Sequence, residues 1–383
     1  MRDFTHHNPT RILFGKGQIA GLAQLVPSSA RVLLVAGGGS IRQNGVLDQV
    51  QTALGERIVG EFWGIEANPD VTSVVAALAE LRAKRADFLL GVGGGSVADA
   101  TKAVALLERS EGDPWTLLSR GRFTDALPLG VVMTLPGTGS GTNASATISQ
   151  RATGQKVVLT NALCFPRFAV IDPETTYSLP PAQVANWIVD AYVHVLEQYL
   201  TYPVGAVMTD RLAEAALLTL LEQGPIALAS PQDYGARANL AWAASLALGG
   251  LFGAGVPQDW TSHHIGHELT ALFGIDHART LAAVLPAVLA RRRRQKAQKL
   301  LQYGSRVFGL REGSDDERID QAIARTAEFF RSLGVPTTLA PYAVGREQLP
   351  RVVANLKAAR RLRMGENLDV TLDDAAAILE LAL

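Results

Sequence analysis

Cysteine is nearly missing from this sequence. Cys164 is the only one among 383 residues, so no intrachain disulfide can form and no thiolate cluster can hold a metal. Net charge is missing as well: Lys plus Arg and Asp plus Glu stand at 36 each. That balance removes the long-range field that nucleic acid or anionic membrane binding uses. No uninterrupted apolar run reaches membrane length, and the start, MRDFTHHNPTRILFG, has no apolar leader core. Aromatic residues are sparse, at 6%, whereas Ala, Leu, Val and Gly abound, as in α/β enzymes with tightly packed helices. The expectation is a soluble, cytoplasmic protein whose partner is a small neutral ligand, not nucleic acid or a membrane.

Length and rhythm suggest the architecture. A chain of 383 residues exceeds what one core usually organises. Up to about residue 178, short runs rich in Val, Ile and Leu (RVLLVA at 31–36, RIVGEFW, FLLGVG at 88–93, PLGVVMTLP at 128–136) alternate with helical patterns. Such strands predict a parallel sheet covered on both faces. Beyond Pro180 the period is helical only, over 182–201, 207–222, 235–252, 259–273, 279–303, 316–333, 347–360 and 371–382. The predicted fold is therefore an α/β dinucleotide-binding domain with a Rossmann-like parallel sheet (1–178), followed by an all-α metal and substrate domain (179–383).

Three small-residue turns follow predicted strands. GVGGGSVADATKAVAL (91–106) opens a helix, so Gly93, Gly94, Gly95 and Ser96 can bring backbone N–H groups against a phosphate. VAGGGSIRQNG (35–45) repeats the theme with Gly37, Gly38, Gly39 and Ser40. TLPGTGSGTNASATIS (134–149) adds the hydroxyls of Thr138 and Ser140. A single GGGS turn is often only a flexible corner, and none of these is GxGxxG with its usual spacing. Three of them at strand ends outline a dinucleotide site.

Four potential metal ligands occupy two stretches of the helical half. Asp190 and His194 are four apart in NWIVDAYVHVLEQYL, so both leave one face of one helix. His263 and His277 lie in DWTSHHIGHELTALFGIDHART. One carboxylate and three imidazoles make an N/O site that iron or zinc accepts. The HExxH pattern of a zinc protease fails, because His264 stands where its Glu is needed.

The ordered set ILFGKG, GGGSVADATK, GTGS, DAYVH, HHIGHELTALFGIDH, LLQYGSRVFG and GENLDVT resembles the iron-containing (group III) alcohol dehydrogenase family, particularly its NADP-dependent aldehyde reductase and butanol dehydrogenase branch. The resemblance covers nearly the whole chain. It implies hydride transfer between NADP(H) and short- to medium-chain aldehydes or primary alcohols, assisted by one divalent ion, Fe2+ or Zn2+. Asp99 and Lys102 match residues beside the cofactor pyrophosphate, and Lys156 matches a lysine near the nicotinamide ribose. Asp190, His194, His263 and His277 match the metal ligands, and His267 a histidine near nicotinamide and substrate, here the candidate proton relay. Gly141 stands where the family's GTGSE turn has its acid, so that side chain's contribution is absent or supplied elsewhere. Members that prefer NAD place an acid near the end of the strand before GGGSIR, and none is present here, which favours NADP; Arg42 is either a phosphate contact or a solvated side chain. The resemblance also implies a homodimer joined through the edge strand near Arg11 to Phe14. A polyol or glycerol-type dehydrogenase, or a non-catalytic nucleotide-binding relative, is the alternative.

Two further readings concern packing. ARRRRQKAQK (290–299) reads as a solvated helix face. Trp242, in an Ala-rich helix, reads as core, while Trp187 and Trp260 flank the metal segments as candidate walls of a substrate pocket.

Overall fold

The computed structural model describes residues 1–383, which divide into two compact units. The first unit, His7–Leu179 with Gln232–Gly249, is built on six parallel strands: β1 (Arg11–Phe14), β2 (Val32–Ala36), β3 (Ile58–Phe62), β4 (Phe88–Gly94), β5 (Leu129–Leu135) and, after a hairpin, β8 (Phe168–Ile171). Their order across the sheet is β1-β8-β5-β4-β2-β3. Inner strands are buried along their length, β2 and β8 completely, as continuous Val, Leu and Ile runs require when helices cover both faces. Val32, Leu34, Leu90, Val92, Val132 and Val170 share one core with Ile19, Leu22 and the apolar face of the helix Val46–Leu54.

Between β5 and β8 the chain forms an antiparallel hairpin, β6 (Ser145–Gln150) and β7 (Gln155–Thr160). Neither this hairpin nor β8 stood out in the sequence. β8 is only four residues long, and the hairpin's strands, SATISQ and QKVVLT, are largely polar.

The second unit, Met1–His6, Pro180–Pro231 and Gly250–Leu383, is helical. The helices Thr261–Phe273, His277–Arg291, Leu349–Ala358 and Leu372–Leu381 enclose a core that includes Ile265, Leu269, Val284, Val288, Val352 and Ile378. The helix Pro181–Tyr199 is buried from Val184 to its end. One helix, Val207–Ala229, is long and apolar enough by length and composition to cross a membrane. It carries Asp210, ion-paired to Lys299, and Glu214, ion-paired to Arg306, and 39% of its apolar window is buried.

The structure departs from the sequence reading at four places. The helix Tyr234–Ala247 groups with the sheet unit, not with the helical half: Thr142 donates its hydroxyl to Ser245 O at 2.6 Å, and Asn8 ties Gly249 O to Thr142 O. The run predicted as one helix over 279–303 is two, His277–Arg291 and Ala297–Val307, parted by a turn. Trp242 is not core. It is 43% exposed and edge-on to Phe14 of β1.

The fourth departure is the basic run, which is not a solvated face. Arg291 pairs with Asp374, Arg292 with Asp369, and Arg293 with Asp316 and Asp320. Lys296 is 1% exposed between Asp259 at 2.8 Å and Glu366 at 2.9 Å, and also donates to Leu200 O. The carboxylates come from distant segments, so the buried ammonium is compensated by fold, not by its sequence neighbours.

Candidate metal centre and nucleotide site

In the helical unit, Asp190 and His194 project from one face of the helix Pro181–Tyr199, as their four-residue spacing requires. His263 and His267 sit one turn apart on Thr261–Phe273, and His277 is the first residue of His277–Arg291. That last helix is held at its start by Asn186, which donates to Asp276 Oδ2 at 2.9 Å. Asn186 lies one turn before Asp190, so a single polar contact registers the two elements.

The predicted ligands converge. One donor atom from each of Asp190, His263 and His277 falls within 4.8 Å of the others. His194 Nε2 and His277 Nε2 both stand 3.8 Å from Asp190 Oδ1, too long for hydrogen bonds. Two atoms bound at about 2.1 Å to one ion lie roughly 3–4 Å apart. The His194 ring stacks on His263 with centroids 4.6 Å apart, and Trp260 is set edge-on to both. Burial, with His263 alongside, holds His194 well below the usual imidazole pKa, so its ring is neutral and keeps a lone pair for a cation. The donor set thus fits a divalent ion held by one carboxylate oxygen and imidazole nitrogens. His267 lies beside this group, 4.8 Å from His277 and 6.1 Å from His263 between ring centroids.

One residue of this site escaped the sequence reading. Glu197, on the same helix as His194, is buried with its carboxylate against His263 Nδ1 and accepts from Ser262 N at 2.6 Å. Its backbone O accepts from Asp259 N at 2.9 Å, and Asp259 in turn pairs with Lys296. Burial, reinforced by the charge of Asp259, pushes the Glu197 carboxyl up to about 8. Its H-x-x-E spacing from His194 was the available signal. Trp187 is buried within the same helix.

In the sheet unit, the three turns lie at the carboxyl ends of adjacent strands. Gly37 to Ser40 follow β2, Gly93 to Ser96 end β4 and open the helix Gly95–Glu108, and Thr138 to Ser140 follow β5. Close approach requires glycine at two positions: a Cβ on Gly95 would stand 2.2 Å from Thr138 Oγ1, and one on Gly93 2.6 Å from Val97 Cγ2. Asp99 binds the third turn, accepting from Ser140 Oγ at 2.5 Å and Thr147 N at 3.0 Å, and burial raises its pKa.

Lys102 donates to Ser140 Oγ, Asn143 O, Asn143 Oδ1 and Ser145 O within 3.1 Å. Burial pulls its ammonium down to about 8, against the charge of Asp99. It therefore braces the loop from inside. Lys156 on β7 is buried and donates to Asn68 Oδ1 at 2.8 Å, while Asn68 N donates to Ser96 Oγ at 3.2 Å. Asn68, at φ 55°, was also missed, though the Asn-Pro step in EANPD marks a turn.

A parallel sheet with phosphate-sized turns at its carboxyl edge, together with a helical unit that gathers one Asp and several His, defines a metal-dependent nucleotide enzyme. Residues 9–173 match the iron-containing alcohol dehydrogenase family, and residues 184–383 match the C-terminal part of the Fe-containing alcohol dehydrogenase family. The chain belongs to this family. It is 52% identical, over the full length of both chains, to the NADPH-dependent aldehyde reductase YqhD of Escherichia coli, and 35% identical, again over both full lengths, to a probable NADH-dependent butanol dehydrogenase of Bacillus subtilis. Its fold superposes on the crystal structure of E. coli YqhD with TM-score 0.98, covering 100% of this chain and 99% of that one. On NADH-dependent butanol dehydrogenase A of Thermotoga maritima the TM-score is 0.95 at 32% identity, with the same coverage.

Proposed function

We propose that this protein is an NADP(H)-dependent alcohol dehydrogenase that works as an aldehyde reductase, interconverting short- to medium-chain aldehydes and primary alcohols. The convergence of Asp190, His263 and His277, with His194 beside Asp190, carries the reading, and full-length similarity to a reductase named as NADPH-dependent supports it. The missing acid after β2 supports NADP(H) over NAD(H). An intact ligand set does not favour a non-catalytic relative.

Asp190, His194, His263 and His277 would hold one Fe2+ or Zn2+. When bound, such an ion supplies Lewis acidity to a substrate oxygen. The net reaction moves a hydride to the aldehyde carbon and a proton to its oxygen. Backbone N–H groups of Gly94, Gly95 and Ser96, at a helix N-terminus, hold the pyrophosphate. Lys156 and Asn68, joined to Ser96, orient the neighbouring ribose. Trp260 shields one side of the imidazole cluster from water. His267, beside His263 and His277, holds the proton destined for the product alcohol.

A homodimer and a cytoplasmic location belong to the same proposal. The edge position of β1 and the exposed Trp242 beside it support the first, and a chain whose single cysteine, Cys164, is buried and can form no intrachain disulfide is compatible with the second.

The deciding assay follows NADPH absorbance with butanal, and with NADH in its place, before and after chelation and after reloading with Fe2+ or Zn2+. Oxidation of NADPH that is lost on chelation and restored by metal is expected. Turnover indifferent to chelation, or none with any aldehyde, would overturn the proposal.

A further inference from the structure

At the carboxyl end of β2, Arg42 lays its guanidinium over the indole of Trp63, with Cζ 3.7 Å from the ring centroid. Arg42 lies in the short helix Ser40–Gln43 after β2, and Trp63 directly follows β3, which pairs with β2. The indole is itself anchored. Its Nε1 donates to Glu61 Oε2 at 2.9 Å, and Glu61 Oε1 accepts from Gln51 Nε2 at 3.1 Å. Gly64 N then donates to Gly37 O at 3.1 Å, tying the Trp63 segment to the glycine turn.

This geometry fixes a positive charge without neutralising it. Glu61, the acid on β3, is turned towards Trp63 and Gln51, and Arg42 forms no ion pair. A guanidinium held over an indole keeps N–H donors for a third group, and the ring limits the orientations it must give up on binding. The approach is open: Arg42 and Ser40 are exposed, and a Cβ on Gly38 would meet nothing within 4 Å. In an open parallel sheet, the end of the strand beside the phosphate-turn strand governs the adenosine ribose. Here that strand is β2, next to β4.

We propose that the Arg42–Trp63 stack is the element that reads the cofactor's 2′-phosphate, Arg42 donating from its guanidinium edge to the phosphate monoester and Trp63 acting as the positioning residue beneath it. The inference rests on the NADP(H) reading above and adds to it a specific pair of side chains.

The test is calorimetric titration of the full-length protein with adenosine 2′,5′-bisphosphate and, separately, with 5′-AMP, the readout being the ratio of the two dissociation constants. Wild type is expected to favour the bisphosphate, and Arg42→Gln to cut that preference about tenfold or more, as loss of a hydrogen bond to a charged group does. Trp63→Leu should cut it by a smaller factor, and Trp63→Phe should restore most of it. An unchanged ratio in Arg42→Gln, or equal weakening of both ligands, overturns the role of the stack while leaving the cofactor reading intact. A wild-type protein that binds both ligands equally overturns the cofactor reading itself.

Discussion

The carboxylate of Glu197 meets Nδ1 of His263, and the same carboxylate accepts from the backbone N of Ser262. When Glu197 is ionised, Nδ1 donates to it and Nε2 keeps its lone pair, so the contact prepares one ring nitrogen for a cation. Replacing Glu197 by Ala should weaken metal affinity by about 10–100-fold. Glu197→Gln, which can still accept through its amide oxygen, should lose less. Competition with a chelator of known affinity measures both, and a dissociation constant for the Ala variant within twofold of wild type would remove Glu197 from the site.

His277 contributes from a different helix, so its loss tests the convergence itself. His277→Ala should leave the purified protein with little bound iron or zinc and little aldehyde reduction, while adenosine 2′,5′-bisphosphate still binds because the sheet unit is untouched. His263→Ala should behave alike. Stoichiometric metal in both variants would place the ligands elsewhere.

The basic run supplies a stability test. Lys296 is buried between Asp259 and Glu366, so Lys296→Met strands two buried carboxylates and should cost about 3–5 kcal/mol. Arg293 faces Asp316 and Asp320, both largely exposed, and Arg293→Gln should cost less than about 1 kcal/mol. Urea unfolding of the two variants decides between an internal brace and a solvated face, for which both costs would be near zero.

What could be read from the chain follows from how local each signal is. The strands β2, β4 and β5 announce themselves because burial on both faces demands unbroken apolar runs, and Asp190 with His194 because a helix turns a four-residue spacing into one face. The approach of His263 and His277 to that face is tertiary, so the sequence could only nominate them by residue type, and resemblance to a family supported the choice. Glu197 looked like any helix-surface acid, since nothing in LEQYL shows that the helix is buried around it. The partners of Lys296 lie at 259 and 366, so a local count of charges read a solvated face where the fold provides pairing. Trp242 misled in the opposite sense: an Ala-rich helix reads as packed on every side, yet this one turns its indole outward next to Phe14.

Cofactor choice can be reversed by a side chain the backbone accommodates. A Cβ at Gly38 would project into open space, and the backbone there is not left-handed, so Gly38→Asp should fold normally. Its carboxylate would face a 2′-phosphate with like charge while offering an acceptor to ribose hydroxyls. The ratio of kcat/KM for NADPH over NADH should fall by about 100-fold. Steady-state kinetics with both cofactors provides the check, and an unchanged ratio would mean that the end of β2 does not meet the adenosine ribose.

His267 separates proton handling from metal binding. It stands one turn from His263 with its ring 4.8 Å from that of His277, close enough to serve the same substrate oxygen without belonging to the ligand set. In aldehyde reduction the group must donate, so activity should fall as pH rises through the titration of the donor. His267→Phe should lower turnover by about 100-fold and remove that alkaline fall, while metal content stays at the wild-type level. His267→Gln guards against a packing defect from the larger ring. Measuring pH–rate profiles and bound metal on the same preparations distinguishes the outcomes: unchanged turnover with an unchanged profile makes His267 part of the scaffold, and lost metal makes it a ligand.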